Sequence, residues 1–362
     1  MTRTTKIPEK HLENFQLLSS LSEDAWHPSD DPKAYEWWYF DSISDDSRYS
    51  LVIIFLSNFV FSPRYNANCQ KNNSEAKLFP AVAFVLYQDD KPLYRAINEF
   101  PHDQFSARTD FPSCNIGEND FKFEATPYGI RFLININANL RGQKQVKASF
   151  EWLIIERDFL SGEKHSKFTH FWNVSSPRAD VTGKIYVYDR KGKQIDAIQF
   201  RGTGYHDHNL DNRWMPQTVK EWQWGRAHFS DTTAVFYRYW ENNSNEPITK
   251  LCLIQNNSFT SYSADFQGTN PRRNIFGLKY NSQLIIEAND KLSFQLDQSK
   301  VIDSSFFYLR FLGEAKLDLG DGKLRQTLAV SEQLNPHSLR WRWLDWLVNM
   351  RIGLNGKSAF LP

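Results

Sequence analysis

The feature that most restricts this 362-residue chain is its supply of short aromatic and β-branched segments cut apart by turn residues. Such runs recur at Trp37–Asp41, Ser50–Leu56 and Ala81–Tyr87, again at Ile130–Ala138, Ala148–Ile155 and Phe168–Val174, and on through Glu221–His228, Ala234–Trp240, Ser304–Phe311 and Leu324–Val330. These residue types suit a pleated, half-buried surface, and many short runs with turns between them read as sandwich or barrel strands. Asp189-Arg190-Lys191-Gly192-Lys193 and Leu319-Gly320-Asp321-Gly322 read as hairpin turns. The expected fold class is therefore all-β. Helical patterning is concentrated at the end: after Pro336, Ser338–Met350 is expected to form an amphipathic helix. The Asn-rich stretch Tyr65–Lys77 is expected to be an exposed, mobile loop.

A faint internal echo suggests how the strands are grouped. Glu36-Trp37-Trp38-Tyr39 opens one series of strands and Glu221-Trp222-Gln223-Trp224 another. Two tandem β-domains of similar build explain this, with a join near Arg178–Gly183, where the pattern pauses at Ser175-Ser176-Pro177.

Composition narrows function. The chain holds 28 Phe, 15 Tyr and 12 Trp, which suggests an aromatic-lined cavity as well as a core. Its net charge of +1 supplies no global field for nucleic acid or an acidic substrate. Cys69, Cys114 and Cys252 are scattered and odd in number, which fits a reducing compartment. The polar start has no signal-peptide core, and no apolar run is long enough to span a bilayer. A cytoplasmic protein is expected, or one attached peripherally to the inner face of a membrane.

Chemistry concentrates in Gly204-Tyr205-His206-Asp207-His208-Asn209. On a strand, Tyr205, Asp207 and Asn209 share one face, and His206 and His208 the other. A carboxyl group facing an apolar cavity is desolvated, stays protonated near neutral pH and can donate a proton. A second stretch, His170-Phe171-Trp172, puts an imidazole and an indole on one strand face. Indole and phenol rings attract cations, so the two stretches suit a reaction through a carbocation. Two plainer readings stay open at this point. His206 and His208 either form a metal pair completed by His170 or His228, or are satisfied by backbone near a turn.

Four segments together resemble the carotenoid 1,2-hydratase family. They are Glu36-Trp37-Trp38-Tyr39-Phe40-Asp41; Ser113–Phe121; His170-Phe171-Trp172 followed by Ser176-Pro177-Arg178-Ala179; and Gly202–Asn209 followed by Trp222-Gln223-Trp224-Gly225-Arg226. The resemblance spans about residues 26–335 and continues into the Trp/Arg-rich tail. It implies an N-terminal extension (1–25), two lipocalin-like β-barrel or sandwich domains (26–180 and 181–335) and a C-terminal amphipathic helix and tail (336–362). It implies relatives among kievitone hydratase and lipocalin-like Diels–Alderases.

The resemblance also implies cofactor-free, metal-free hydration of a terminal double bond of an acyclic carotenoid or terpenoid. Its catalytic residues map onto His170, Trp172, Tyr205 and Asp207. Asp207 is expected to protonate the alkene, Trp172 and Tyr205 to stabilise the cation, and His170 to orient or deprotonate water. Expected substrate contacts are Trp37, Trp38, Tyr39, His206, His208, Asn209, Trp222 and Trp224. The partner is an apolar polyene, with no nucleic acid. Residues 338–351 are expected either at a membrane surface or packed over one end of a barrel. Leu210-Asp211 departs from the family pattern, which leaves substrate identity more open than the machinery. Two competing functions are a cyclase or Diels–Alderase of a secondary-metabolite pathway and a non-catalytic lipid or pigment carrier.

Overall fold

The structure is a computed structural model that describes residues 15–71, 77–160, 170–289 and 291–361. The polar start to Asn14, the end of the Asn-rich stretch (72–76) and Phe168 and Thr169 of the expected strand lie outside these residues. Two curled, mainly antiparallel sheets dominate, giving the all-β, lipocalin-like architecture expected.

The first sheet contains β1 (Phe15–Leu18), β2 (Tyr35–Ser44), β3 (Tyr49–Leu56), β4 (Ala81–Gln88), β5 (Lys91–Glu99), β6 (Phe105–Ala107), β7 (Ser113–Ile116) and β8 (Asn119–Thr126). It continues with β9 (Gly129–Leu140), β10 (Lys144–Glu156), β11 (His170–Tyr188) and β12 (Gln194–Asp211). The second sheet contains β13 (Val219–His228), β14 (Thr233–Glu241), β15 (Ile248–Gln255), β16 (Ser258–Ser263), β17 (Asp265–Arg273) and β18 (Lys279–Asn289). It is completed by β19 (Leu292–Asp297), β20 (Val301–Ser304), β21 (Tyr308–Asp318) and β22 (Leu324–Leu334). A last short strand, β23 (Gly353–Leu354), returns to pair with β5 of the first sheet.

The chain crosses between sheets after Asp211, through a short helix at Met215–Thr218, and not near Arg178–Gly183. The pause at Ser175-Ser176-Pro177 is instead an irregularity inside β11, where the ladder to β12 slips on both sides of Ser176. Pro177 has no N–H to give a ladder, so the strand bends there and continues. The Asp189–Lys193 hairpin then links β11 to β12 as expected, closed by Asp189 N–H to the Lys193 carbonyl at 2.9 Å.

Strand alternation builds three main apolar layers among the described residues. One face of β2 sends Trp38 and Phe40 into the interior of the first sheet, with Phe55, Phe84, Phe121, Phe132 and Trp152. Its other face sends Tyr39 into a layer shared by both sheets, with Val52, Val85, Trp172, Tyr205, Trp224 and Tyr237. A third core, around Phe236, Leu284 and Phe294, fills the second sheet.

Two expectations change. Residues Pro63–Gln70 of the Asn-rich region form a helix, α1, capped by the Ser62 hydroxyl, with Tyr65 and Asn66 buried. Proline at the first helical position and serine before it are ordinary helix-start chemistry. The C-terminal segment is not one helix. It makes a 3₁₀ turn at Pro336–Arg340, another at Arg342–Leu344 and a single α-turn, α2, at Asp345–Asn349. Trp341 adopts extended backbone between them (φ −91°, ψ 97°). Breaking the helix lets Leu339, Leu344 and Val348 all be buried while Trp341, Trp343 and Trp346 stay exposed.

Candidate active site

The site grows out of register. β12 lies between β2 and β11, so Tyr205, Asp207 and Asn209 meet the outward face of β2 on one side and Trp172 on the other. Asp207 is buried. Its Oδ2 accepts hydrogen bonds from the Trp172 indole N–H at 3.0 Å and the Tyr205 hydroxyl at 2.8 Å. Its Oδ1 accepts from the Asn209 amide at 3.0 Å. Three donors favour the anion, but desolvation outweighs them, and the Asp207 pKa is pushed up to about 7. Burial, then the adjacent Asp207 charge, raises Tyr205 well above the ordinary phenol range, so it remains a donor.

Asp207 and Asn209 open onto a cavity of about 280 Å³ between the two sheets. The wall beside them is aromatic: Trp37, Tyr39, Trp222 and Trp224. Beyond lie Val52, Ile54 and Leu56 of β3 and Ala83 and Val85 of β4. Leu347, Val348, Ile352 and Leu361 of the C-terminal segment close one side.

His170 and Trp172 share a face, as strand alternation predicts, but neither lines the cavity. The His170 Nε2 lies 2.6 Å from the Tyr237 hydroxyl, and its Nδ1 lies 3.4 Å from Asp211. Tyr237 stacks on Trp172 with ring centroids 4.4 Å apart. Asp211, His170, Tyr237 and Trp172 thus form a packed series that ends on the Asp207 carboxyl. Tyr237 is the member that sequence reasoning missed, although alternation along Ala234–Trp240 puts it on the face that Val235 and Tyr239 share.

Expected contacts Trp38, His206 and His208 point away from the cavity, into the first core. A strand residue next to Tyr39 or Asp207 must face the other way. His206 stacks on Phe40 at 3.9 Å, and its nitrogens reach the Tyr39 carbonyl and Asp24, both at 2.9 Å. His208 stacks on Trp38 at 4.8 Å and reaches Glu36 at 2.7 Å. Neither His170 nor His228 joins them: the His228 Nε2 bonds the Pro177 carbonyl at 2.9 Å.

The sequence reading also missed a buried ionic network joining the sheets. Asp41 on β2 accepts from Arg226 on β13, with Nε at 2.8 Å. The Tyr39 hydroxyl donates to Asp41 at 2.9 Å and accepts from Arg310 on β21 at 2.7 Å, while Arg310 also pairs with Glu332 on β22. Asp41 and Arg226 were inside the quoted motifs; their partners Arg310 and Glu332 lie in strands that carried no motif.

Residues 139–360 match the family model for the carotenoid hydratase CrtC. The chain belongs to the carotenoid hydratase family. A hydroxyneurosporene dehydrogenase of Chlorobaculum tepidum is 27% identical over 358 residues, covering 95% of this chain and 93% of that protein. An acyclic carotenoid 1,2-hydratase of Rubrivivax gelatinosus is 22% identical over 241 residues, 64% of this chain and 55% of the relative. The crystal structure of an AttH protein of Nitrosomonas europaea superposes with a TM-score of 0.60 at 14% identity, covering 88% of this chain and 97% of that one, which shows the fold. In this carotenoid hydratase family member, the matched region holds β11, β12 and the whole second sheet, and with them Trp172, Tyr205 and Asn209, which hydrogen-bond the Asp207 carboxyl.

Proposed function

We propose that this protein adds water across a terminal carbon–carbon double bond of an acyclic carotenoid or related isoprenoid chain, with Asp207 as the acid. The observation that carries the reading is a carboxyl group with a pKa near 7, buried at the aromatic wall of a mainly apolar cavity whose other charged lining residues are Arg95, Asp303, Arg310, Glu332 and Arg351. The mechanism begins with Asp207 in its acid form. Oδ2 already accepts two hydrogen bonds, so the carboxyl proton belongs on Oδ1. The alkene takes that proton at its less substituted carbon, leaving a tertiary cation and the Asp207 carboxylate.

Trp172 and Tyr205 stabilise that carboxylate by hydrogen bonds. The π-faces available to the cation are those of Trp37, Tyr39, Trp222 and Trp224, which line the cavity. Water then bonds to the tertiary carbon, and the proton it loses returns to Asp207, so the acid is regenerated with no net change in the protein. His170 lies one layer behind the wall and acts through Tyr237 and Trp172 as a positioning residue.

Asn209 serves both forms of the acid. Its Nδ2 donates to the carboxylate, and its own Oδ1 has no partner. A turn of the amide presents that oxygen to the Oδ1–H of the neutral acid.

The C-terminal segment links the cavity to an apolar surface. Leu347, Val348 and Ile352 line the cavity, and Trp341, Trp343 and Trp346 project outward beside them, with Arg340 and Arg342 also exposed. Tryptophan and arginine together suit a lipid interface, from which a water-insoluble chain enters.

The direct test is incubation of the purified protein with an acyclic carotene that ends in an isopropylidene group. The expected product gains the mass of one water and is a tertiary alcohol. An isomer of unchanged mass would favour cyclisation, and binding without turnover would favour a carrier.

A further inference from the structure

The geometry points to a site for one divalent transition-metal ion, of the zinc class, built from His27, Glu36 and His208 on the side of β12 opposite the cavity. It is separate from the hydration chemistry and uses none of its residues. The three side chains come from three parts of the chain: the segment before β2, β2 itself and β12. Their ligand atoms all lie within 4.8 Å of one another. The Glu36 Oε1 is 3.2 Å from His27 Nδ1 and 2.7 Å from His208 Nε2.

The far side of each imidazole is equally specific. The His208 Nδ1 faces the Glu23 carbonyl at 3.2 Å, and the His27 Nε2 faces the Glu23 carboxylate at 3.6 Å. In the metal-free protein an imidazole N–H donates to Glu36 across each near contact. A divalent ion replaces those protons between the same three side chains, and the oxygen acceptors on the far sides then take the remaining ring N–H groups. A histidine whose outer N–H is held by a carbonyl or carboxylate while its inner nitrogen binds metal is the usual arrangement around zinc.

Shape supports the same assignment. Bonds of about 2.0–2.1 Å imply tetrahedral edges of about 3.3 Å. The His27–Glu36 edge already fits, the His208–Glu36 edge must open by about half an ångström, and the two imidazole nitrogens, within 4.8 Å of each other, adjust to the ion. The ring of His208 is held by its stack on Trp38. The Glu36 carboxylate is oriented by the His27 backbone N–H at 3.1 Å. His27 and Glu36 line a second, smaller cleft, with Pro28, Ser57 and Asn58, which gives an ion a way in and leaves room for water as a fourth ligand. Two imidazoles and one carboxylate suit zinc and its neighbours better than calcium or magnesium. A bound ion fastens the Trp26–Pro28 segment to β2 and β12, behind the strand that carries Asp207.

The test is a zinc titration of the full-length protein after treatment with a chelator, read by calorimetry and by thermal unfolding. One equivalent is expected to bind, and the melting temperature to rise by at least about 2 °C at saturation. His27→Ala, a partly exposed change, is expected to abolish the zinc-dependent rise whatever its own melting temperature. Cobalt gives an independent readout: the ligand-field absorption of a tetrahedral site is expected with the wild type. No zinc-dependent rise, an equal rise in His27→Ala, or no tetrahedral cobalt spectrum overturns the site. Hydration by metal-free protein is expected to continue, so the outcome does not depend on the proposed reaction.

Discussion

The Trp172 indole N–H donates to the Asp207 carboxylate at 3.0 Å, across two neighbouring strands and 35 residues of sequence. That bond ties the two halves of the site together. It also creates an opposition: the donors around Asp207 favour its anion, while burial favours its acid, and burial prevails.

The first prediction concerns stability. The folded-state pKa of Asp207 is raised from 3.8 to about 7. The folded protein therefore binds this proton more tightly than the unfolded chain, and stability falls as pH rises between those values, by up to about 4 kcal/mol. Asp207→Asn lacks this penalty. In urea unfolding, the variant is expected to gain on the wild type between pH 5 and pH 8. An identical difference at both pH values would contradict the raised pKa.

The second concerns rate. The active form is the neutral acid, so kcat/KM is expected to be level below about pH 7 and to fall roughly tenfold per unit above it. A rate that rises through this range would assign Asp207 the role of a base in the limiting step.

The third separates positioning from contact. Tyr237→Phe removes the 2.6 Å bond to His170 but keeps the ring stacked on Trp172. It is expected to cost about 1 kcal/mol of stability and to lower kcat with little effect on KM. His170→Gln is expected to behave alike, and the double variant to be no worse than the poorer single one. Additive losses would mean that His170 acts independently of Tyr237.

Sequence patterning made some of this legible. Period-two alternation is enough to sort Tyr205, Asp207 and Asn209 from His206 and His208. The same rule, applied to β2, separates Trp37 and Tyr39, which line the cavity, from Trp38, which faces the first core. Strands with mixed signals were harder to see. β17 contains Gly268 and Pro271 and is largely exposed, as an edge strand can be. The second sheet's share of the site, Tyr237, Arg310 and Glu332, depends on how the two sheets face each other, which local pattern does not encode.

The fourth prediction addresses the junction between sheets. Arg226→Met leaves Asp41 buried beside Glu332 with one cation fewer. The expected cost is about 3–5 kcal/mol, seen as a lower urea midpoint. Adding Asp41→Asn is expected to recover part of it. Recovery of none would mean that Arg226 contributes through packing alone.

The fifth tests the outer tryptophans. Trp343→Ser with Trp346→Ser changes exposed side chains and leaves the cavity-lining Leu347 and Val348 in place. The double variant is expected to lose most binding to anionic liposomes in flotation, while a detergent-solubilised substrate is still turned over. Unchanged flotation would remove the membrane role from this segment.

The central claim is proton delivery by Asp207 to a carbon–carbon double bond. Its most direct test is turnover of an acyclic isopropylidene substrate in D₂O by wild type and Asp207→Asn, with the product followed by mass spectrometry. The account predicts a tertiary alcohol carrying one new C–D bond at the neighbouring carbon, formed by the variant at least about 10²-fold more slowly. The same deuterated alcohol formed by Asp207→Asn at the wild-type rate would contradict it.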